Sequence, residues 1–165
     1  MQNASALVKA NEYRHVLVVV SHVGSNVSVD DDTLSWSLGD GAGAFVVSSL
    51  KPHQGILGTK MIHTAETRGA YVYEPAANIQ DQPRVCLRTG ENASSLAETA
   101  VKFVRICCKG ALTSAGVTLE QVKFFSFNTP SAWYTNVCIQ ALEIDPSSTI
   151  NLYPYYANIG PVFPI

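Results

Sequence analysis

Four cysteines, Cys86, Cys107, Cys108 and Cys138, are the residues best able to act as nucleophiles, and their spacing suits neither a zinc ligand set nor a disulfide framework. They read as reduced thiols that pack as small hydrophobes in a reducing, cytoplasmic compartment. The histidines His15, His22, His53 and His63 are scattered, with no spacing that would bring two imidazoles to one ion, so no metal site is expected. A third feature is the run Leu38-Gly39-Asp40-Gly41-Ala42-Gly43-Ala44-Phe45-Val46-Val47. Alternating glycines can cradle a phosphate, but Gly41 and Gly43 lead into strand formers, so no helix N-terminus would face the anion. Close approach of another backbone element is the alternative reason for small residues in a strand. Gly39, Asp40, Gly41 and Gly43 are therefore read as a structural motif. No cofactor is implied.

The elements that must position these residues alternate between strand and helix. Residues 4–10 read as the tail of a helix. Residues 15–20 form a β-branched run without polar alternation, the pattern of a strand buried on both faces. A second such region covers 35–48. Residues 56–64 and 84–87 are further strand candidates, separated by a loop rich in Pro, Asn, Gln and Tyr. Over 91–115 the period is helical: Leu96, Ala100, Phe103, Val104, Cys107 and Ala111 share one face, and Lys102, Arg105 and Lys109 line another. That makes Cys107 a core residue. The basic stripe is a solvated face or a docking surface for an acidic partner. Residues 122–127 read as a strand, followed by Asn128-Thr129-Pro130, in which Thr129 can cap a helix that has Pro130 at its first position. That helix, 131–142, is apolar nearly all round, as expected of one lying between two layers. A last strand, 149–152, leads into the segment 153–160. Trp133, Tyr134 and the tyrosines of 153–156 could face a cavity or the core.

Hydrophobic residues make up 47% of the chain and charged residues only 15%. Either the domain is compact with a large core, or part of its surface is covered by another domain or subunit. The net charge is −2 with no Lys/Arg block, which excludes a nucleic-acid footprint. The longest apolar run is too short to span a bilayer, and residues 1–5 do not open a signal peptide, so no membrane association is expected.

The Val-rich strand followed by the GDGAGA segment resembles the middle of the β-ketoacyl-ACP synthase III family of condensing enzymes. Residues 122–128 with the following buried helix resemble the family's strand and turn that carry a catalytic histidine, and 151–160 resemble the segment that carries a catalytic asparagine. The likeness runs over nearly the whole chain with small gaps. It implies an α/β, thiolase-like architecture layered α-β-α-β-α, present as a partial, mainly C-terminal half. In that reading 1–165 form one partial domain, with 1–50 the end of the N-terminal half and 84–165 most of the C-terminal half.

In the family, a cysteine at the start of a buried helix attacks an acyl thioester, and the histidine and asparagine hold the carbonyl of a malonyl thioester as it loses carbon dioxide. Carried over by position, the catalytic candidates are Asn158 for the asparagine and Asn128 in the histidine's place. The cysteine is expected upstream of Met1, and none of the four cysteines stands in its position, so the chain by itself is expected to be an inactive piece that stops within the family's next helix. Asparagine keeps a hydrogen-bond donor but carries neither proton nor charge at neutral pH, which favours acyl transfer to a hydroxyl or amine over decarboxylative condensation. Taken without the resemblance, Asn128 is equally a turn residue before a helix. The implied partners are an acyl carrier protein or a coenzyme A thioester and, in a full-length parent, a second copy in a homodimer. The implied setting is fatty-acid or polyketide type biosynthesis. Asp30, Asp31 and Asp32 stand where the family grips coenzyme A with an arginine; they form a solvated turn or favour a carrier-protein donor. The alternative is a non-catalytic, thiolase-fold partner subunit of a heteromeric synthase.

Overall fold

The computed structural model describes residues 1–27, 33, 35–51, 54–79 and 82–162. Asp30, Asp31, Asp32 and His53 lie outside them, as do the last three residues. The chain begins with helix α1 (Gln2–Lys9), which buries Ala4 and Val8, four apart on one face. A left-handed Asn11 (φ 58°) turns the chain into the first strand, a conformation that asparagine tolerates better than most residues.

Strands β1 (His15–Val23) and β2 (Asp40–Ser48) pair antiparallel, with Leu17 opposite Val46, Val19 opposite Ala44 and Val20 opposite Gly43. Burial alternates along β1 and along β2 as far as Val47. This corrects the expectation of a strand buried on both faces: Leu17 is 64% exposed, Val19 65% and Val46 61%. Helix α1 and the turn 160–162 both pack on β1 and β2, yet Leu17, Val19 and Val46, which share one face of the pair, stay exposed. The β-branched run carries the composition of a doubly covered strand in a chain that covers it once.

A second hairpin pairs β3 (Tyr71–Ile79) with β4 (Gln82–Thr89), Tyr71 lying opposite Thr89 and Tyr73 opposite Leu87. β3 occupies the stretch read as a loop. Its Pro75 and Asn78 hid the extended pattern, and a two-stranded hairpin tolerates a proline because one side of each strand needs no partner. Conversely, residues 56–64 form no strand. They run along helix α2 (Ser94–Ala115) so closely that a side chain at Gly58 would strike the carbonyl of Ala111, and one at Gly110 would strike Lys60. Their apolar residues serve contact with a helix, not pairing in a sheet.

Of the face that its period marks, helix α2 buries Ala100 and leaves Leu96, Phe103, Val104, Cys107 and Ala111 half-buried, so Cys107 is not the core residue expected. The helix ends at a left-handed Gly116 (φ 68°) whose N–H finds the carbonyls of Leu112 and Thr113. Helix α3 (Tyr134–Leu142) packs on it through Thr135, Cys138, Ala141 and Leu142. Two expectations fail here. The helix starts at Tyr134, with no side-chain cap, because Thr129 is wholly buried and its hydroxyl reaches no partner. It is also covered on one side only: Asn136 and Gln140 are exposed. The segments 122–127 and 149–152 are extended but joined at a single parallel bridge, Phe125 to Thr149, so neither is a strand. Phe125 N–H donates to the Ser148 carbonyl at 2.8 Å, and Thr149 Oγ1 donates to the Phe125 carbonyl at 2.7 Å. Among the described residues, no helix is long and apolar enough to cross a membrane.

Candidate functional site

Asn158 sits in a turn that its own backbone and side chain hold. Its N–H donates to the Ser37 carbonyl at 2.8 Å, and its carbonyl accepts from Gly39 N–H at 2.9 Å, a parallel bridge between the start of the GDGAGA strand and this turn. Its Oδ1 accepts from Gly160 N–H at 2.9 Å, which leaves the side-chain NH2 as the group able to donate outward. The glycines explain the fit. A Cβ on Gly39 would collide with the Tyr156 carbonyl, and one on Gly41 would lie 3.2 Å from Ile159 Cβ. Residue 157 carries strain: Ala157 adopts φ 54°, ψ −156°, a region that glycine alone enters freely. Four-residue helix α4 (Tyr153–Tyr156) delivers the chain to that point.

Asp40 braces the other end. Its two oxygens accept from Ser25 Oγ at 2.6 Å and Ser25 N–H at 2.9 Å, closing the turn after β1. These bonds, the hydroxyl first, hold its carboxyl below the usual value. His22 lies between these supports, its ring within reach of Gly24 and Gly160 and its Nε2 buried without a hydrogen-bond partner.

Asn128 is exposed and lines a cleft of about 560 Å³ together with Ser37, Pro130, Ser131, Trp133 and Tyr134. The opposite wall comes from Leu96, Ala97, Ala100 and Phe103 of α2 and from the cross-strand pair Tyr71 and Thr89. Ser37 links the two turns: it lines the cleft with Asn128 and its carbonyl accepts the Asn158 N–H, although Asn158 itself is not among the residues that line the cleft. Asn151 adds a second tie, donating from Nδ2 to the Ala132 carbonyl at 2.9 Å and accepting from Tyr153 N–H at 3.1 Å. Of the aromatic residues left between cavity and core, Trp133 and Tyr134 line the cleft, whereas Tyr155 and Tyr156 are exposed elsewhere. Tyr71, Thr89 and Ser131 had no local signal in the sequence. The first two meet only once the hairpin forms, and a serine near a helix start is unremarkable in isolation.

None of the four cysteines lines this cleft. Cys86 and Cys138 are buried. Burial, with Cys108 beside it, pushes the Cys138 thiol up to about 11 even though Tyr134 hydrogen-bonds to it. Burial and Cys107 likewise raise Cys108. Tyr134 itself is pushed up to about 12, by burial and then by the neighbouring thiols. Cys108 and Cys138 are thus neutral at physiological pH and lack the thiolate character that a nucleophile requires. Two members of the basic stripe are engaged within the chain: Lys102 pairs with Glu66 at 3.1 Å, and Arg105 Nε donates to the Ala141 carbonyl at 2.7 Å, near the end of α3. Among the described residues, no three His, Cys, Asp or Glu side chains cluster to hold a metal ion.

The superpositions below identify this mixed α/β architecture as a partial thiolase-like fold. Residues 1–65 match the sequence model of 3-oxoacyl-[acyl-carrier-protein (ACP)] synthase III. A β-ketoacyl-[acyl carrier protein] synthase III from Thermus thermophilus superposes with a TM-score of 0.79 at 20% identity, over 96% of this chain and 50% of that one. A 3-oxoacyl-[acyl-carrier-protein] synthase III from Aquifex aeolicus gives 0.78 at 22% identity, over 99% and 50%. A variant of OleA from Xanthomonas campestris gives 0.65 at 18%, over 99% and 50%. No curated protein sequence matches significantly. The chain is therefore synthase III-like, by sequence over its first 65 residues and by fold over nearly its whole length, and it spans about half the length of these solved structures.

Proposed function

We propose that this chain supplies the carbonyl-binding half of a thioester-dependent acyltransferase of the synthase III-like class. The observation that carries this reading is the Asn158 turn, a strained segment anchored on the GDGAGA strand and hydrogen-bonded to a wall of the cleft that Asn128 lines. Backbone strain held in place by several independent bonds is characteristic of positions that must aim a group at a reacting atom. In this reading the side-chain NH2 groups of Asn158 and Asn128 donate to the acyl oxygen as it gains negative charge. The nucleophilic thiol comes from outside Cys86, Cys107, Cys108 and Cys138, and the acyl donor is a coenzyme A or carrier-protein thioester. Asn128 supports transfer to a hydroxyl or amine more than decarboxylative condensation, because it can neither take up a proton nor offer a positive charge.

Two measurements test the reading. Intact mass spectrometry of the chain after incubation with an acyl-CoA is expected to show no added acyl group; a stoichiometric thioester on one of the four cysteines would overturn the assignment. In a preparation with a cysteine-bearing synthase III-like partner, acyl transfer is expected, and Asn158→Ala is expected to slow it by about a hundredfold. An unchanged rate would remove Asn158 from the chemistry.

A second reading, a partner subunit of a heteromeric synthase, draws on the exposed apolar face made by Leu17, Val19 and Val46. Co-elution with a full-length synthase III-like protein in gel filtration, without any gain in transfer, would favour it.

A further inference from the structure

His22 lies under the Asn158 turn, and the proposed chemistry leaves it unused. It stands opposite Gly41 in the β1–β2 pair. Together the two form a seat for consecutive residues of the turn. Ile159 lies over Gly41, where an added Cβ would come within 3.2 Å of the Ile159 Cβ, and Gly160 lies against the imidazole, where one would come within 2.9 Å of Nδ1. Gly160 is also the residue whose N–H donates to Asn158 Oδ1 at 2.9 Å. The ring therefore touches the backbone unit that fixes the Asn158 side chain. Its other nitrogen, Nε2, is buried beside Gly24 with no hydrogen-bond partner.

Few charged groups face this ring. β2 contributes only Asp40, whose two oxygens accept from Ser25 but whose carboxyl still feels a charge on His22. The segments 24–26 and 160–162 carry no ionisable side chain. On α1, Lys9 and the amino terminus at Met1 line a hollow with residues 45–49, toward the other end of the strand pair, where His15 also lies. Tyr153, Tyr155 and Tyr156, on the segment that leads into the turn, are the remaining titratable groups.

We infer that His22 is a positioning residue for Asn158, its neutral ring seating Gly160 and its protonation releasing the turn. A neutral imidazole leaves at most one weakly polar atom unmet at Nε2. A protonated one places a charged N–H there, and a buried charge without an acceptor is costly enough to move the ring off its seat. The turn is thus ordered above the pH at which the ring takes up its proton and loosens below it. The inference deepens the acyl-transfer reading and rests on it for what Asn158 donates to, but the movement is a property of the chain alone.

The test is nuclear magnetic resonance of the labelled chain from about pH 8 to about pH 5. The Asn158 Nδ2 and Gly160 N–H signals are expected to shift with the same midpoint as the His22 ring Cε1–H. The order parameter of the Asn158 NH2 group is expected to fall over the same range into the flexible region, below about 0.6. His22→Gln, which keeps a polar side chain without a titrating group, is expected to abolish both changes. Signals that do not move, or that move with a midpoint other than the ring's, would overturn the inference. So would a shift without loss of order, which needs only the field of the charge, or changes that persist in His22→Gln. The comparison of midpoints needs no variant, so misfolding of His22→Gln leaves it decisive. A proton-released turn in a chain that supports no acyl transfer with a partner would count against the proposed function alone; transfer with a turn indifferent to pH would count against this inference alone.

Discussion

The two asparagine turns are built in opposite ways. Asn158 is half-buried, bonded through its N–H, its carbonyl and its side-chain oxygen, and follows a strained alanine over a strand that has glycine where it must pass. Asn128 is exposed on a cleft wall, between a segment joined to its neighbour by a single bridge and a helix that starts without a side-chain cap. The first turn is rigid by construction and sets where a donor points. The second is free to settle on whatever the cleft holds. In the acyl-transfer reading proposed above, a site that must hold one oxygen in a defined place and accept varied acyl groups would use one donor of each kind.

That contrast can be broken most severely at Gly39. Gly39→Val places branched carbon against the Tyr156 carbonyl and should cost about 3 kcal/mol of stability, read as a lower urea midpoint at unchanged slope. A stability equal to wild type would mean that the strand and the Asn158 turn are not locked together. Asn158→Ala should cost about 1–2 kcal/mol by leaving Gly160 N–H without its side-chain partner.

A smaller effect separates the brace from the turn. Asp40 is held below its ordinary 3.8 by the Ser25 hydroxyl and N–H, so the folded state binds its proton less readily than the unfolded chain does. Its contribution is therefore present above pH 3.8 and is lost as pH falls through the lowered value. Asp40→Asn should flatten the acid limb of a Tm-against-pH curve while leaving the curve's shape near neutrality unchanged; an identical acid limb would show that the Ser25 bonds do not persist in solution. The smallest effect is expected at the free turn. Asn128→Ala should change stability by less than about 0.5 kcal/mol in the same urea experiment. A loss as large as that of Asn158→Ala would erase the distinction between the two turns.

How legible these features were depended on whether their signal was local. Helix α2 was visible because its apolar face repeats at helical spacing, and its Gly116 terminus has the left-handed geometry that glycine favours. The GDGAGA strand was visible as a place of close approach, although what approaches it, the turn 156–160, lies more than a hundred residues away and could be named only through a family likeness. Strand β3 was missed because Pro75 and Asn78 look like loop residues until β4 pairs with them. Residues 56–64 were mistaken for a strand because an apolar extended segment reads the same whether its partner is a strand or a helix. Thr129 failed as a cap for a related reason: composition shows that a hydroxyl is present, and only packing decides that it is buried.

By itself, then, the sequence determined the elements with strong periods and the absence of metal-ligand spacing, since propensity and periodicity act between residues close along the chain; the two asparagines became candidates only through the family likeness. Tertiary structure alone decided that Ser37 links the Asn128 and Asn158 turns. It also decided that Tyr71, Thr89 and Ser131 line one cleft, and that one face of β1 and β2 stays exposed. Each of those depends on which distant segments exclude water from one another, and burial of that kind is a property of the assembled chain.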